Sequence, residues 1–257
     1  MIYFKEFVRY RFLLNELVKK GIRLKYRRSY LGIIWSLIEP LLNTIVLVIV
    51  FGSLGRIKAR DFPLYIVAGR LIYTFFKTGT TAASKSIRAN AAMIKKVYVP
   101  KYLYPLSSVL FNFIIFLISL IVMFLIQVYC RVLPTVHIFQ LIPALLLILM
   151  ITIGVGFILC TLNVFFRDIE YLWNVVCTLL FYCSAVMYYP EKLIESNYGA
   201  ILTLNPIYQI IDITRSAVLG YQMSAWSVCY SLAWGVGSIL VGLVFFKINQ
   251  DKFILHI

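Results

Sequence analysis

Three charged residues interrupt otherwise apolar sequence: Glu39, Arg70 and Lys77. A charge among hydrocarbon chains is costly, so each must face protein, water or a partner. At about 1.5 Å per residue, Glu39 lies about 12 Å and Lys77 about 9 Å from the same side of a bilayer, which predicts that these two approach each other. Arg70 falls nearer mid-membrane, either in a structural ion pair or on a pore wall. A denser cationic group, Arg23, Lys25, Arg27 and Arg28, stands just before the first long apolar run, where a phosphate headgroup would enter; simple anchoring of the chain is the plainer role. Aromatic residues form two further groups, Tyr73, Phe75 and Phe76, then Phe181, Tyr182, Tyr188 and Tyr189, more clustered than interfacial belts require. Aromatic faces stack on sugar rings while Tyr hydroxyls reach sugar hydroxyls, so such a tunnel suits a glycan better than an ion; core packing is the competing role. Catalysis is not indicated. The two histidines, His137 and His256, are isolated, no His/Asp/Glu set has metal-ligand spacing, and no nucleophile can be placed beside a base. Without a GxxxxGK[ST] phosphate loop, an uphill process would draw its energy from another chain or an ion gradient.

The elements that position these residues follow from composition. Of 257 residues 62% are apolar and only 14% charged, yet Lys+Arg number 25 against 10 Asp+Glu, for a formal charge of +15. With a mean hydropathy of +0.90, this reads as an all-α polytopic membrane protein, a single transmembrane domain over residues 1–257. Six stretches are long enough to cross: about Leu31 to Leu54, Phe62 to Ala83, Tyr104 to Tyr129, Ile138 to Val164, Tyr171 to Tyr189 and Ser224 to Phe246. Gly154 and Gly156 in the fourth predict a bend or a close helix approach. Nine Lys/Arg precede Leu31, which argues against a cleavable signal peptide, and Lys85, Arg88, Lys95, Lys96 and Lys101 share the second polar loop. This excess places both termini in the cytoplasm, although Arg56, Lys58 and Arg60 crowd one outer loop against the trend. Cys130, Cys160, Cys177, Cys183 and Cys229 include no CxxC pair and read as small apolar residues.

Three connections carry patterns of their own. In residues 1–30, Tyr3, Phe7, Tyr10, Leu14, Leu17, Gly21 and Leu24 recur at spacings of four and three, while Lys5, Arg9, Glu16, Lys20 and Arg23 occupy other faces. This predicts a basic amphipathic helix in the cytoplasmic interface. In residues 84–100, Ser86 can cap a short helix that Pro100 stops, with Ala91, Ile94 and Tyr98 as its apolar stripe beside Lys95 and Lys96. Such a helix fits a groove on a cytosolic partner, or is simply a positive-inside loop. Residues 190–223 are too long and apolar for a plain loop. Asn205-Pro206 starts a helix whose face carries Ile207, Ile210, Ile211, Thr214 and Val218 and which Gly220 stops; two short helices dipping into the outer leaflet fit this pattern. Asp212 and Arg215, three apart, are expected to pair on its polar face.

On these residues the chain resembles the membrane subunits of ABC-2 type ABC transporters that export O-antigen, teichoic acid and capsular polysaccharides. The likeness rests on Lys25-Tyr-Arg-Arg-Ser-Tyr-Leu-Gly-Ile-Ile-Trp35 followed by Pro40, on Lys95-Lys96 with Pro100, on Thr161-Leu-Asn-Val-Phe-Phe-Arg-Asp-Ile169, and on Asn205-Pro206 with Arg215. It implies a homodimer of six-span subunits joined to two cytosolic ATPases, which bind the ATP and Mg that this chain does not. It further implies a coupling helix over Asn90, Met93, Ile94, Lys95, Lys96 and Val97, and gate helices between spans five and six. A glycan on an undecaprenyl-pyrophosphate lipid would meet Arg23, Lys25, Arg27 and Arg28 at the inner membrane, and its sugars would follow the aromatic channel. No nucleic acid is implied. An exporter of small hydrophobic compounds, or a membrane enzyme acting on polyprenyl-linked glycans, are the alternatives; Asp61, Glu191, Glu195 and Asp212 are the only outer carboxylates for the latter. A secondary transporter fits less well, because no internal repeat is visible and Glu39 is the single intramembrane carboxylate.

Overall fold

The structure, a computed structural model, describes residues 2–54, 60–97, 99–194 and 199–256, and within these the side chains of 2–8, 53–54 and 192–193 are not described. Arg56, Lys58, Tyr98 and Glu195 therefore lie outside the described residues, as do the side chains of Tyr3, Lys5 and Phe7. Every described element is helical: α1 (Ile2–Tyr26), α2 (Trp35–Leu54), α3 (Phe62–Ala89), α4 (Ala91–Ile94), α5 (Leu103–Tyr129), α6 (Leu141–Phe165), α7 (Ile169–Tyr182), α8 (Glu191–Ile194), α9 (Gly199–Thr203), α10 (Pro206–Leu219), α11 (Ala225–Asn249) and α12 (Phe253–His256).

Four helical stretches are long and apolar enough to cross a bilayer, Gly32–Gly52, Leu103–Tyr129, Val136–Phe165 and Ala225–His256. At 28 residues α3 is long enough, about 42 Å, but it carries Arg70, Lys77, Lys85 and Arg88. It runs six residues past the expected end at Ala83. Ser86 is consequently buried inside α3, donating to Ala83 O at 2.7 Å, and caps nothing. The fifth expected span is the larger correction. α7 has 14 residues, about 21 Å, and ends at Tyr182 instead of Tyr189. Cys183 to Pro190 fold back as turns, with Ala185 at φ +48° and Tyr188 Oη donating to Tyr182 O at 2.7 Å. From the aromatic run that made this segment read as a continuous helix, Phe181 and Tyr189 pack onto α3 instead.

One apolar core joins α3, α5, α6 and α10, and a second, around Leu14, Ile87, Ile94, Leu103, Tyr104, Phe157 and Phe253, ties α1 and α4 to the ends of the long helices. α1 lies along the first half of α5, with Gly21 against the Phe111 ring. Its packed stripe holds Tyr10, Leu14 and Leu17 as expected and adds Val18; Leu24 is instead 57% exposed.

α6 packs most extensively on α11. The close approach expected at the paired glycines is realised at Gly154, where a Cβ would strike the backbone of Ser238 and Ile239, while one at Gly242 would strike Gly154 O. Gly154→Leu is therefore expected to part these helices and lower stability by about 3 kcal/mol or more, through overpacking against backbone that cannot yield. A thermal melt of the purified variant in detergent checks this, and an unchanged midpoint would contradict the contact.

Candidate functional site

Charged residues occur at both ends of the bundle, here named the α4 end and the α10 end, and at a cavity between them. After α1 the chain turns: Ser29 N donates to Tyr26 O at 3.1 Å, Gly32 N to Ser29 Oγ at 3.2 Å, and Gly32 adopts φ +51°, which glycine does without steric cost. The turn gathers Lys25, Arg27 and Arg28 around one open basin of 520 Å³ with Leu24 and Ser29. Arg23 is exposed on α1 but does not line it. Three neighbouring cations repel one another, so the basin favours an anion, and guanidinium groups match phosphate oxygens in pairs.

Lys25 also borders a polar cavity of 140 Å³ between α2, α3 and α5, where Glu39 and Arg70 meet Ser36, Asn43, Thr74 and Asn112. No ion pair joins Glu39 to either cation among the described residues; they share a space that admits several waters at about 30 Å³ each. The expected approach of Glu39 to Lys77 is not realised. α2 begins at Trp35, and Ser119, midway along α5, donates to Ser36 O at 2.9 Å. The first turn of α2 is thus level with Arg70, deeper than a count from Leu31 assumes. Lys77 does not line this cavity; it is half-buried on α3 and lies near Cys177 of α7.

The aromatic residues are redistributed. Tyr73, Phe75 and Phe76 are buried: Tyr73 Oη donates to Cys177 O, Phe75 stacks on Phe116 at 4.9 Å, and Phe76 meets Trp173, whose Nε1 donates to Thr80 Oγ1 at 3.0 Å. They hold α5 and α7 on α3, and of the three only Phe75 borders the cavity of Glu39 and Arg70. Phe181 is half-buried against Tyr73, Tyr188 and Tyr189 pack at the α10 end, and Tyr182 alone of the seven is largely open, at 62%.

At the α10 end, Asn205 caps α10 as its sequence position implies. Its Oδ1 accepts from Ile207 N at 3.0 Å, while Nδ2 donates to Cys183 O and Ser184 Oγ, both at 2.9 Å, tying α10 to the turn after α7. Pro206 occupies the first turn and Gly220, at φ +85°, ends the helix as expected; Ile207, Ile210, Ile211, Thr214 and Val218 are all buried. Arg215 departs from expectation. It lies four residues after Ile211 and three before Val218, within the buried stripe, and is only 4% exposed. Instead of pairing with the half-buried Asp212, its Nη2 donates to Ala185 O at 2.8 Å and Val186 O at 3.3 Å, and its Nε to Tyr65 O at 3.3 Å. The guanidinium carbon stands 3.5 Å from the centre of the Tyr65 ring, itself packed on Tyr189 at 4.6 Å. One cation thus fastens α10 to α3 and to the 183–189 turn.

At the α4 end, the short helix spans only Ala91–Ile94. Asn90 Nδ2 donates back to Ser86 O at 2.8 Å, Ile94 is 8% exposed and Met93 packs beside it, whereas Lys95, Lys96 and Val97 point outward. The six expected contact residues therefore divide: Asn90, Met93 and Ile94 anchor the helix, and Lys95, Lys96 and Val97 form the exposed turn that follows it. Just behind it lies a cluster that sequence reading missed. Glu170, in the first turn of α7, accepts from Lys85 at 2.9 Å, Arg88 at 3.4 Å and Asn163 at 3.0 Å, and Asn163 also donates to Ser84 O at 2.9 Å. Partial burial alone would push the Glu170 carboxyl up, but the bonds from Lys85 and Asn163 and the charges of Lys85 and Arg88 hold it below the usual carboxylate range. The only local signal was Asn163 at the end of an apolar run, seven residues before Glu170.

With this geometry in hand, the chain can be set beside known proteins. Residues 13–219 match the family model described as ABC-2 type transporter. An O-antigen export system permease protein RfbA of Klebsiella pneumoniae is 30% identical over 250 residues, covering 94% of this chain and 93% of that protein. The RfbA protein of Myxococcus xanthus is 29% identical over 245 residues, covering 91% and 94%. The polysialic acid transport protein KpsM of Escherichia coli is 20% identical over 241 residues, covering 92% and 93%.

Proposed function

Because the chain belongs to the ABC-2 type transporter family, we propose that it is the membrane subunit of an ATP-driven exporter of a cell-surface polysaccharide, of the O-antigen kind. The near end-to-end similarity to a named O-antigen export permease, 94% of this chain against 93% of that protein, carries this reading. The chain is a permease of the inner or plasma membrane and not an enzyme; the ATPase is a separate partner subunit.

The finer arrangement is proposed on the geometry. α2, α3, α5, α6, α11 and α7, the last completed by the 183–190 turns, make six crossings, α8 to α10 form a re-entrant gate in the outer leaflet, and both termini are cytoplasmic, with α1 against the cytoplasmic half of α5. A second copy pairs with the exposed apolar faces of α2 and α7, which carry Leu42, Val46 and Ile49 and Leu172, Val175 and Leu179. The cargo is a glycan on an undecaprenyl-pyrophosphate lipid. Its doubly charged headgroup enters at the basin of Lys25, Arg27 and Arg28, with Arg23 adding to the local positive potential. Its sugars pass between the two copies, along exposed aromatic residues such as Tyr182 and Tyr171. The ATPase closes on ATP and pushes the exposed turn after α4, Lys95, Lys96 and Val97, and α4 moves the ends of α3 and α5 that hold it.

Charge reversal tests this. Lys95→Glu with Lys96→Glu is expected to reduce co-purification of the ATPase about tenfold, since like charges replace a complementary pair at a contact surface, and to remove the glycan from the cell surface. Full association and normal surface glycan in the variant would overturn the coupling surface. A deletion strain that still displays its polysaccharide would overturn the function itself.

A further inference from the structure

Away from the proposed machinery, α5, α6 and α11 leave an open groove of 450 Å³ at the α4 end, within the roughly 300–1,000 Å³ of small-ligand sites. Its apolar bed is Ile153 and Phe157 of α6 with Phe246 of α11, and its walls are Leu106 of α5 and Leu243 and Val244 of α11. The groove opens outward: Leu243 and Val244 are exposed, as are Leu240, Val241 and Ile248 around them. On a helix that crosses a membrane, that surface faces lipid chains.

One end of the groove differs from the rest. Tyr102, Lys247 and Gln250 line it, and Lys101 donates its Nζ to Gln250 O at 2.6 Å, which holds that ammonium at the rim. An ammonium has three N–H donors, so Lys101 keeps two for another acceptor. Lys252 is exposed two residues further on, and Asp251 is the one acidic side chain after Phe246. An apolar slot that ends at cations has the polarity of a single lipid molecule: chain along the slot, phosphate at the lysines. Basic pockets between membrane helices select anionic headgroups in this way, and lysine stems extend along apolar surface to reach them. A choline lipid offers the same chain, but its own cation offsets the phosphate.

We propose that this groove binds one anionic glycerophospholipid of the surrounding leaflet, its acyl chain against Phe157 and Leu243 and its phosphate between Lys101 and Lys247. The site is separate from the basin at Lys25, and the lipid is a bilayer component, not the exported cargo.

The test uses the full complex of this chain with its ATPase, reconstituted in mixed phosphatidylcholine and phosphatidylglycerol and released for native mass spectrometry. Retention of a phosphatidylglycerol molecule by each copy of the chain, in preference to phosphatidylcholine, is expected. Lys101→Ala with Lys247→Ala should weaken that retention roughly thirtyfold, each cation near an anionic headgroup contributing about fivefold. Leu243→Trp, which fills the slot without altering charge, should also displace the lipid while the complex still assembles and melts as the wild type does. Equal retention of the two lipids overturns the proposal. So does loss with the lysine variant alone, which would mean surface attraction without a groove, or displacement of phosphatidylglycerol by undecaprenyl pyrophosphate, which would make the groove a cargo site.

Discussion

Arg215→Ala is expected to cost about 3–5 kcal/mol and to lower the melting midpoint by roughly 10 °C, one of the largest single-residue effects in the chain. The alanine removes a buried guanidinium and leaves three backbone carbonyls, Tyr65 O, Ala185 O and Val186 O, without the donor they now share. It also removes a desolvated cation from the face of Tyr65, an interaction of about 2 kcal/mol. Arg215→Lys separates charge from shape: a lysine keeps the cation but cannot fork between Ala185, Val186 and Tyr65, so an intermediate loss is expected. Gly69 provides an independent approach, because a Cβ there would stand 2.8 Å from Arg215 Nη2. Gly69→Ala should reproduce part of the arginine defect without altering any charge. Protease sensitivity of residues 190–223, read with the melting curve, localises the effect. An Arg215→Ala protein that melts with the wild type would show that α10 is held by its apolar face alone.

Much of this arrangement was legible in the residues. The apolar face of α10, its Asn205-Pro206 start and its Gly220 stop depend on local rules of capping and helical period, and all three hold. The close helix approach expected at the paired glycines is likewise realised at Gly154, although nothing in the spacing names α11 as its partner. What was not legible depended on the side a residue turns to. Arg215 and Asp212 are three apart, which permits a pair, but only the packing of α10 on α3 decides that the arginine points inward to carbonyl groups. The partner of Glu39 could not be read by counting from the ends of hydrophobic runs, because those runs do not reveal that α2 starts level with the middle of α5. Composition also overstated the fifth crossing: tyrosines from 182 to 189 are equally apolar in a helix and in a turn folded onto α3. The cluster around Glu170 is non-local, with Lys85 and Arg88 some eighty positions earlier, and no spacing rule links them.

That cluster supports the second large expectation. Glu170→Ala is expected to reduce glycan exported per ATP hydrolysed by about tenfold or more, while assembly with the ATPase persists. The carboxylate is the point where α3, α6 and α7 meet directly behind α4: it bonds Lys85 and Arg88 in the last turns of α3 and Asn163 near the end of α6. Any displacement of α4 by a closing ATPase must move the end of α3, one residue away at Asn90, and the ion pairs would carry that displacement into α7. These pairs are partly exposed, at 25% for the Glu170 side chain and 50% for that of Lys85, so their contribution to stability is small, about 0.5–1 kcal/mol each. A large loss of export beside a nearly unchanged melting curve would thus mark transmission and not folding. Glu170→Gln keeps an acceptor for Asn163 but loses both ion pairs, and should fall between alanine and wild type. Exchanging the charges, Glu170→Lys with Lys85→Glu, should restore part of the coupling that either single change removes. The sign of the pH dependence follows from the same contacts. The Glu170 carboxyl lies below its ordinary range, so its contribution is fully present at neutral pH and is lost only as the pH falls through that lowered value. Between pH 6 and 8 coupling should not vary on account of this residue. Export per ATP that is unaffected in Glu170→Ala would place the transmission elsewhere, through Met93 and Ile94 of α4 into the core around Leu103 and Phe157.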